Sequence, residues 1–188
     1  MNGSGKPVAE AELVRRAKNE DTAAVRAIYD SYAQYLLAVC RRYTGDADSA
    51  ADVLQDSLVK IFTSLDKFEW RGPGSLKAWM RRVVVNEALM YLRSRRRAGE
   101  SVEDDGIADS LPDEEPEVDD VPLAVIQQMI AELPEGYRTV FNLYVFEGFS
   151  HRQIADTLGI SENTSYSQFS RARSLLARKI KEYRENGQ

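Results

Sequence analysis

The chain carries a single cysteine, Cys40, and a single histidine, His151, among its 188 residues. One cysteine excludes an intramolecular disulfide and a cysteine-based metal cluster. Cys40 lies in a stretch with helical apolar periodicity and is read as a small core residue. One histidine leaves little room for histidine-dependent catalysis or a zinc site. No apolar run approaches the roughly 20 residues that span a bilayer, and the N-terminus lacks the apolar centre of a signal peptide. The expectation is a reduced, cytoplasmic protein without membrane insertion, cofactor or metal. Convincing strand runs are missing as well. Almost every segment spaces its apolar residues at helical intervals, so the fold class is expected to be all-α. Helices are predicted over 8–19, 22–44, 47–65, 75–97, 122–132, 135–147, 150–158 and 162–184.

Basic residues are outnumbered, 25 Lys and Arg against 30 Asp and Glu, for a net charge of −5. That balance argues against a nucleic-acid partner until its distribution is followed. Residues 98–122 hold eleven carboxylates and no Lys or Arg, and the remainder carries 25 basic and 19 acidic residues. The acidity therefore belongs to one segment, and the rest of the chain is basic, at +6. With Gly99, Gly106, Pro112 and Pro116 among its acids, that segment has too little apolar surface to fold alone. It is read as a flexible acidic linker, residues 98–121, extended by self-repulsion. It joins two small helical domains, residues 1–97 and 122–188.

The C-terminal domain contains a helix-turn-helix pattern. Ser150 followed by Gln153 is a capping box, and Ile154, Ala155 and Leu158 give the short helix an inward face. Gly159 supplies the backbone freedom to leave it, and Ser161 caps the next helix. At 100° per residue, Phe169, Ala172, Leu176, Ile180 and Tyr183 form a buried stripe on that second helix. Asn163, Tyr166, Ser167, Ser170 and Arg171 fall on the opposite side, nearly free of carboxylates. Six basic residues, Arg173 among them, stand against one acid from Arg171 to Arg184. Such a face suits base edges and phosphates in a DNA major groove, where Arg pairs bidentately with guanine. An ordinary amphipathic helix with a solvated face is the plainer alternative.

In the N-terminal domain, the 47–65 helix has an apolar stripe of Leu54, Leu58, Ile61, Phe62 and Leu65, expected to face the core. Asp52, Gln55, Asp56 and Val59 share the opposite side, which reads either as a docking face for a basic partner helix or as a plain solvated face. Residues 71–97 carry eight basic residues and one acid, Glu87. Arg82, Asn86 and Arg93 align along one helix edge, and Arg93-Ser-Arg-Arg-Arg97 adds a dense positive end. The preceding loop, Phe68-Glu-Trp-Arg-Gly-Pro-Gly74, sets Trp70 beside Arg71. An aromatic ring beside cations forms a stacking platform for unpaired bases, and a core role for Trp70 stays open beside it. Trp79, in register with Val83 and Met90, is read as core.

These pieces in this order resemble the bacterial sigma factors of the two-domain, extracytoplasmic-function group. The signatures are Ala51-Asp-Val-Leu-Gln-Asp-Ser-Leu-Val-Lys-Ile-Phe62 and Leu76-Lys-Ala-Trp-Met-Arg-Arg-Val-Val-Val-Asn86 for sigma region 2, and Leu133-Pro-Glu-Gly-Tyr-Arg138 and Ser170-Arg-Ala-Arg173 for region 4. The resemblance implies a promoter-specificity subunit without catalytic residues, whose partners are core RNA polymerase and promoter DNA. It leaves room for an anti-sigma factor as a further partner. Asp52, Gln55 and Asp56, with Val59 beside them, match positions that hold the clamp helices of the polymerase. Trp70, Val83 and Asn86 match positions lining the pocket for a base flipped from the single-stranded −10 element. Arg71, Arg81, Arg82 and Arg93 would hold nearby phosphates. Tyr166, Ser167, Ser170 and Arg171, flanked by Asn163 and Arg173, match positions that read duplex −35 DNA. The linker would run through the polymerase interior toward the RNA exit path, its acids mimicking phosphates. Two positions depart from the family pattern: Tyr166 stands where Lys or Arg is common, and Asn163 where Gly is frequent.

Two other readings compete. One is a polymerase-independent helix-turn-helix regulator that binds operators as a dimer. The other is a nucleic-acid-processing enzyme with a metal held by Asp52 and Asp56, one helical turn apart.

Overall fold

The computed structural model describes residues 6–99 and 121–186, and the regular structure within them is helical. In chain order the helices are α1 (Lys6–Lys18), α2 (Thr22–Thr44), α3 (Ala47–Thr63), α4 (Ser75–Arg97), α5 (Leu123–Ala131), α6 (Glu135–Val145), α7 (His151–Leu158) and α8 (Glu162–Asn186). A single 3-10 turn, Leu65–Lys67, follows α3. Local chemistry sets these boundaries. Asp21 Oδ1 accepts from the backbone N–H groups of Ala23 and Ala24 at 3.0 and 3.2 Å and caps α2. α5 and α6 each start directly after a proline, Pro122 and Pro134, whose carbonyls accept the first helical bonds. The fixed φ of proline suits a helix entry, and its missing N–H is not needed there. The expected acidic linker lies almost wholly outside the described residues.

Two compact units result, one built largely on α1 to α4 and the other on α5 to α8. The first centres on Ile28, Leu36, Val39 and Cys40 of α2, Ala50, Val53 and Ile61 of α3, and Leu76, Met80, Val84 and Ala88 of α4. Cys40 is fully buried outside any disulfide, and burial pushes its thiol pKa up to about 12. Of the expected stripe after Ala47, Ile61 and Leu65 are buried. Ala50, Val53, Ser57 and Ile61 face inward, while Leu54, Leu58 and Phe62 are only half-buried. Small side chains at 50 and 57 let neighbouring helices approach closely, and the larger ones seal the flanks. Ser57 tolerates burial because its hydroxyl donates to the Val53 carbonyl at 2.6 Å. Across the unit, Lys60 pairs with Glu87 at 2.6 Å and Tyr91 bonds Ser49 at 2.7 Å, linking α3 to α4. Met90, expected inside, is 53% exposed, and Trp79 is half-buried.

In the second unit α8 packs on α5, α6 and α7. Its core gathers Met129, Ile130 and Leu133 with Tyr137, Ala172, Leu175, Leu176 and Ile180. The predicted stripe held at Ala172, Leu176 and Ile180. Phe169 is half-buried and Tyr183 is 38% exposed. α8 has 25 residues against 9 and 11 in α5 and α6, so its last turns outrun their cover. Buried Arg138 bonds the carbonyls of Ala131 and Leu133 at 2.8 and 2.9 Å, which satisfies acceptors left over at the end of α5. Desolvation lowers the pKa of its guanidinium.

Candidate nucleic-acid interface

The α7–α8 pair is assembled by three local devices. Ser150 Oγ accepts from the Gln153 backbone while the Gln153 side chain accepts from the Ser150 backbone, a complete capping box. Gly159 stops α7 in the left-handed region at φ 68°, and its N–H returns to the Ala155 carbonyl at 2.9 Å. Ser161 Oγ accepts from Thr164 N–H at 3.0 Å and starts α8. Ile154 and Ala155 are buried, and Leu158 is half-buried, so α7 is anchored under α8.

Asn163, Tyr166, Ser167 and Ser170 are exposed along one side of α8, with Tyr166 at 54%. Arg171 and Arg173 are half-buried. Arg171 Nη1 donates to the Tyr137 hydroxyl at 3.1 Å and its guanidinium stands 5.9 Å from that ring. It therefore sits at the edge of the outer face, tied inward, rather than free upon it. Under Tyr166 lies a group that periodicity did not single out. His151, buried at the start of α7, stacks against both Tyr166 and Tyr144. A lone histidine in the first turn of a short helix carries no signal of such a contact, which joins residues 144, 151 and 166.

In the first unit the 69–74 loop is pinned by α1. Lys18 Nζ donates to the carbonyls of Phe68 and Asp66 at 2.5 and 3.1 Å. Glu10 accepts from Trp70 Nε1 at 3.3 Å, from Gly74 N–H at 3.2 Å and from the Tyr32 hydroxyl at 2.7 Å. Burial and that last bond raise the Tyr32 pKa to about 12. Gly72 and Gly74 both take positive φ, 119° and 82°, so the turn around Pro73 needs glycine at each side. Ser75 closes it, its hydroxyl donating to the Gly72 carbonyl at 2.7 Å and accepting from Arg71 N–H at 3.2 Å.

Between this loop and the first turns of α4 lies a cleft of about 480 Å³, lined by Lys67, Phe68, Glu69, Arg71, Ser75, Ala78, Trp79 and Arg82. Phe68 and Trp79 form a tilted ring pair beside it, with centroids 5.1 Å apart. The expected set thus divides. Arg71 and Arg82 line the cleft, Val83 and Asn86 lie one turn beyond on α4, and Trp70 turns 38% of its surface to solvent outside the lining. Trp79, read as core, is the aromatic wall. Glu10, Lys18 and Lys67 escaped sequence reasoning because their roles depend on contacts up to 64 residues away. Along α4, Arg82, Asn86 and Arg93 are exposed on one edge, and Arg81 and Val83 are half-buried. On α3, Asp52, Gln55, Asp56 and Val59 are all exposed on one side, Val59 at 60%. Among the described residues, no group of three or more His, Cys, Asp or Glu is placed to hold a metal ion.

Two helical units, each presenting a basic or hydrogen-bonding face, one through a helix-turn-helix, define a DNA-binding protein. Comparison with known proteins narrows the class. Residues 28–98 match the family model for Sigma-70 region 2, and residues 123–176 match that for Sigma-70, region 4. The RNA polymerase sigma-H factor of Pseudomonas aeruginosa is 30% identical over 176 residues, covering 88% of this chain and 90% of that protein. The ECF RNA polymerase sigma-E factor of Haemophilus influenzae is 26% identical over 179 residues, covering 89% and 93%. Among solved structures, CnrH in complex with the cytosolic domain of CnrY has the same fold, with a TM-score of 0.50 at 23% identity, covering 93% of this chain and 98% of that one. The chain belongs to the sigma-70 family of RNA polymerase sigma factors, in its extracytoplasmic-function group. It is a promoter-recognising sigma subunit that directs transcription initiation.

Proposed function

We propose that the work of this sigma subunit divides along the chain, with residues 1–97 engaging core polymerase and the −10 element, and residues 122–188 reading the −35 element. Residues 98–121 serve as the acidic linker. The observation that carries this reading is the pair of exposed faces on different units, the α8 side at Asn163, Tyr166, Ser167 and Ser170 and the α4 edge at Arg82, Asn86 and Arg93. Arg171 and Arg173 complete the −35 face from its margin. Trp70, Arg71, Arg81 and Val83 complete the −10 surface, and the cleft beside Trp79 accepts an unpaired base between aromatic and cationic walls. Extruding a base costs a few kcal/mol, and stacking returns about 1–3 kcal/mol, so one pocket can trap a melted strand without ATP. Asp52, Gln55, Asp56 and Val59 dock on the polymerase clamp, an apolar centre rimmed by acids meeting a basic helix.

The subunit contributes no catalytic residue, works in the cytoplasm and inserts in no membrane; among the described residues no helix is long and apolar enough to cross one. Exposed Val59 and Leu123, at 60% and 69%, are apolar surface that an anti-sigma factor would cover. The test adds the purified chain to core polymerase on fragmented host DNA and sequences the transcripts. Starts sharing two spaced elements, absent with core alone, support the division. Charge-reversed Asp56→Lys should then lose core binding while isolated −35 binding persists. Duplex binding without core binding or new starts would favour a polymerase-independent regulator.

A further inference from the structure

His151 occupies the first position of α7, where a solvated polar residue would serve the helix start equally well, yet it is only 7% exposed. Its Nδ1 lies 2.9 Å from the hydroxyl of Ser165, a fully buried side chain of α8. Its ring centroid stands 3.8 Å from that of Tyr166 and 4.7 Å from that of Tyr144, with Phe169 edge-on at 5.6 Å. One imidazole thus joins α6, α7 and α8 directly beneath the outer face. Tyr166 is the large aromatic group on that face. An unsupported tyrosine samples several rotamers, and fixing one on binding costs entropy. The stack removes that freedom beforehand. Of the base groups presented in the major groove, the apolar one is the thymine C5-methyl.

The geometry points to His151 as a positioning residue that holds the Tyr166 ring ready to contact thymine methyl groups of the −35 element. This rests on the assignment of Tyr166 to the −35 face. The arrangement proposed takes the neutral tautomer in which Nδ1 accepts from the Ser165 hydroxyl. Burial lowers the imidazole pKa, and the positive end of the α7 dipole opposes protonation further. Glu162 of α8 acts in the other direction. Tyr144 from α6 and Tyr166 from α8 are the other titratable groups against the ring. In the tautomer whose Nδ1 accepts from the Ser165 hydroxyl, protonation turns that acceptor into a donor and breaks the bond.

The test uses holoenzyme reconstituted with the full chain and duplex promoters in which each −35 thymine is replaced in turn by deoxyuridine, which lacks only the methyl. Binding is compared at about pH 8 and at an acid pH where the NMR signal of His151, the single histidine, reports a protonated ring in the folded chain. Wild type should bind the best thymine position about fourfold tighter than its deoxyuridine counterpart at the higher pH, as one buried methyl implies, and lose that ratio in acid. H151A should bring the ratio close to one although Tyr166 is present. H151F, which keeps a ring in the stack, should restore it and make it independent of pH. An H151A ratio equal to wild type, a wild-type ratio that is flat with pH, or an H151F ratio that follows the wild-type pH course overturns the inference. Should H151A fail to fold, by thermal melting, the pH comparison of wild type with H151F decides. If Y166A discriminates as wild type does, the −35 assignment of Tyr166 has failed instead.

Discussion

Arg171 is the side chain on which the DNA-reading proposal can be tested most sharply, because its resting contact is visible. It is half-buried at the edge of α8 and donates to the Tyr137 hydroxyl at 3.1 Å. Pairing with a guanine through both Nη atoms would release that bond, whereas the Nε–Nη2 edge can pair while keeping it. A good bidentate pair discriminates by about 1–3 kcal/mol. A sheltered bond to a charged group contributes about 1.5–3 kcal/mol, and one open to water on one side less, about 1 kcal/mol. Arg171→Ala should therefore flatten the preference at one −35 position by about 1–3 kcal/mol, while other positions keep theirs. Tyr137→Phe keeps the ring beneath the guanidinium but removes the resting bond. It should tighten −35 binding by up to about 1 kcal/mol, roughly fivefold, with base preference unchanged. The assay is competition binding of holoenzyme to a panel of single-substituted −35 duplexes at fixed salt. An unchanged profile for Arg171→Ala would sink the assignment. Weaker binding by Tyr137→Phe would show that Tyr137 holds Arg171 in its working pose rather than away from it.

Trp70→Ala should impair open-complex formation, followed by permanganate footprinting, more than it impairs core binding in a pull-down. Equal losses would mean that the Glu10-tethered loop is a structural support only. Gly159→Ala should destabilise the C-terminal unit by about 1–2 kcal/mol, since a Cβ there meets open space and the cost is the backbone at φ 68° alone; calorimetry showing no loss would contradict this. His151 also links stability to pH. Its pKa is lowered from the ordinary 6.5 by burial, so below that value the unfolded chain binds more protons than the folded one. This contribution is fully present above about pH 6.5 and is lost as the pH falls through the folded value. Chemical denaturation across pH should show the decline in wild type and less of it in His151→Phe.

Helix placement was legible because it follows from neighbours in sequence. The Ser150–Gln153 box, Gly159, Ser161 and the prolines at 122 and 134 act over a few residues, and α2 and α4 span the predicted limits. The outer sides of α3 and α8 were legible for the same reason: periodicity tells which residues share a face. It tells less about which neighbour covers that face. So the expected α3 stripe is buried at Ile61 and Leu65, while Ala50, Val53 and Ser57 take the inward places beside half-buried Leu54, Leu58 and Phe62, and Met90, in register with Trp79, is exposed.

By itself, then, the order of residues determined an all-α chain with two helical units, a helix-turn-helix and the signatures of its family, all properties of local spacing and charge. Tertiary structure alone decided how the faces are equipped. It moved Trp79 from the core to the wall of a cleft, bound Trp70 to Glu10 across 60 residues, drew Arg171 toward Tyr137 and set His151 under Tyr166. Each depends on side chains far apart in sequence meeting when helices pack. That meeting is fixed by the shapes of whole helix faces, which no local pattern encodes.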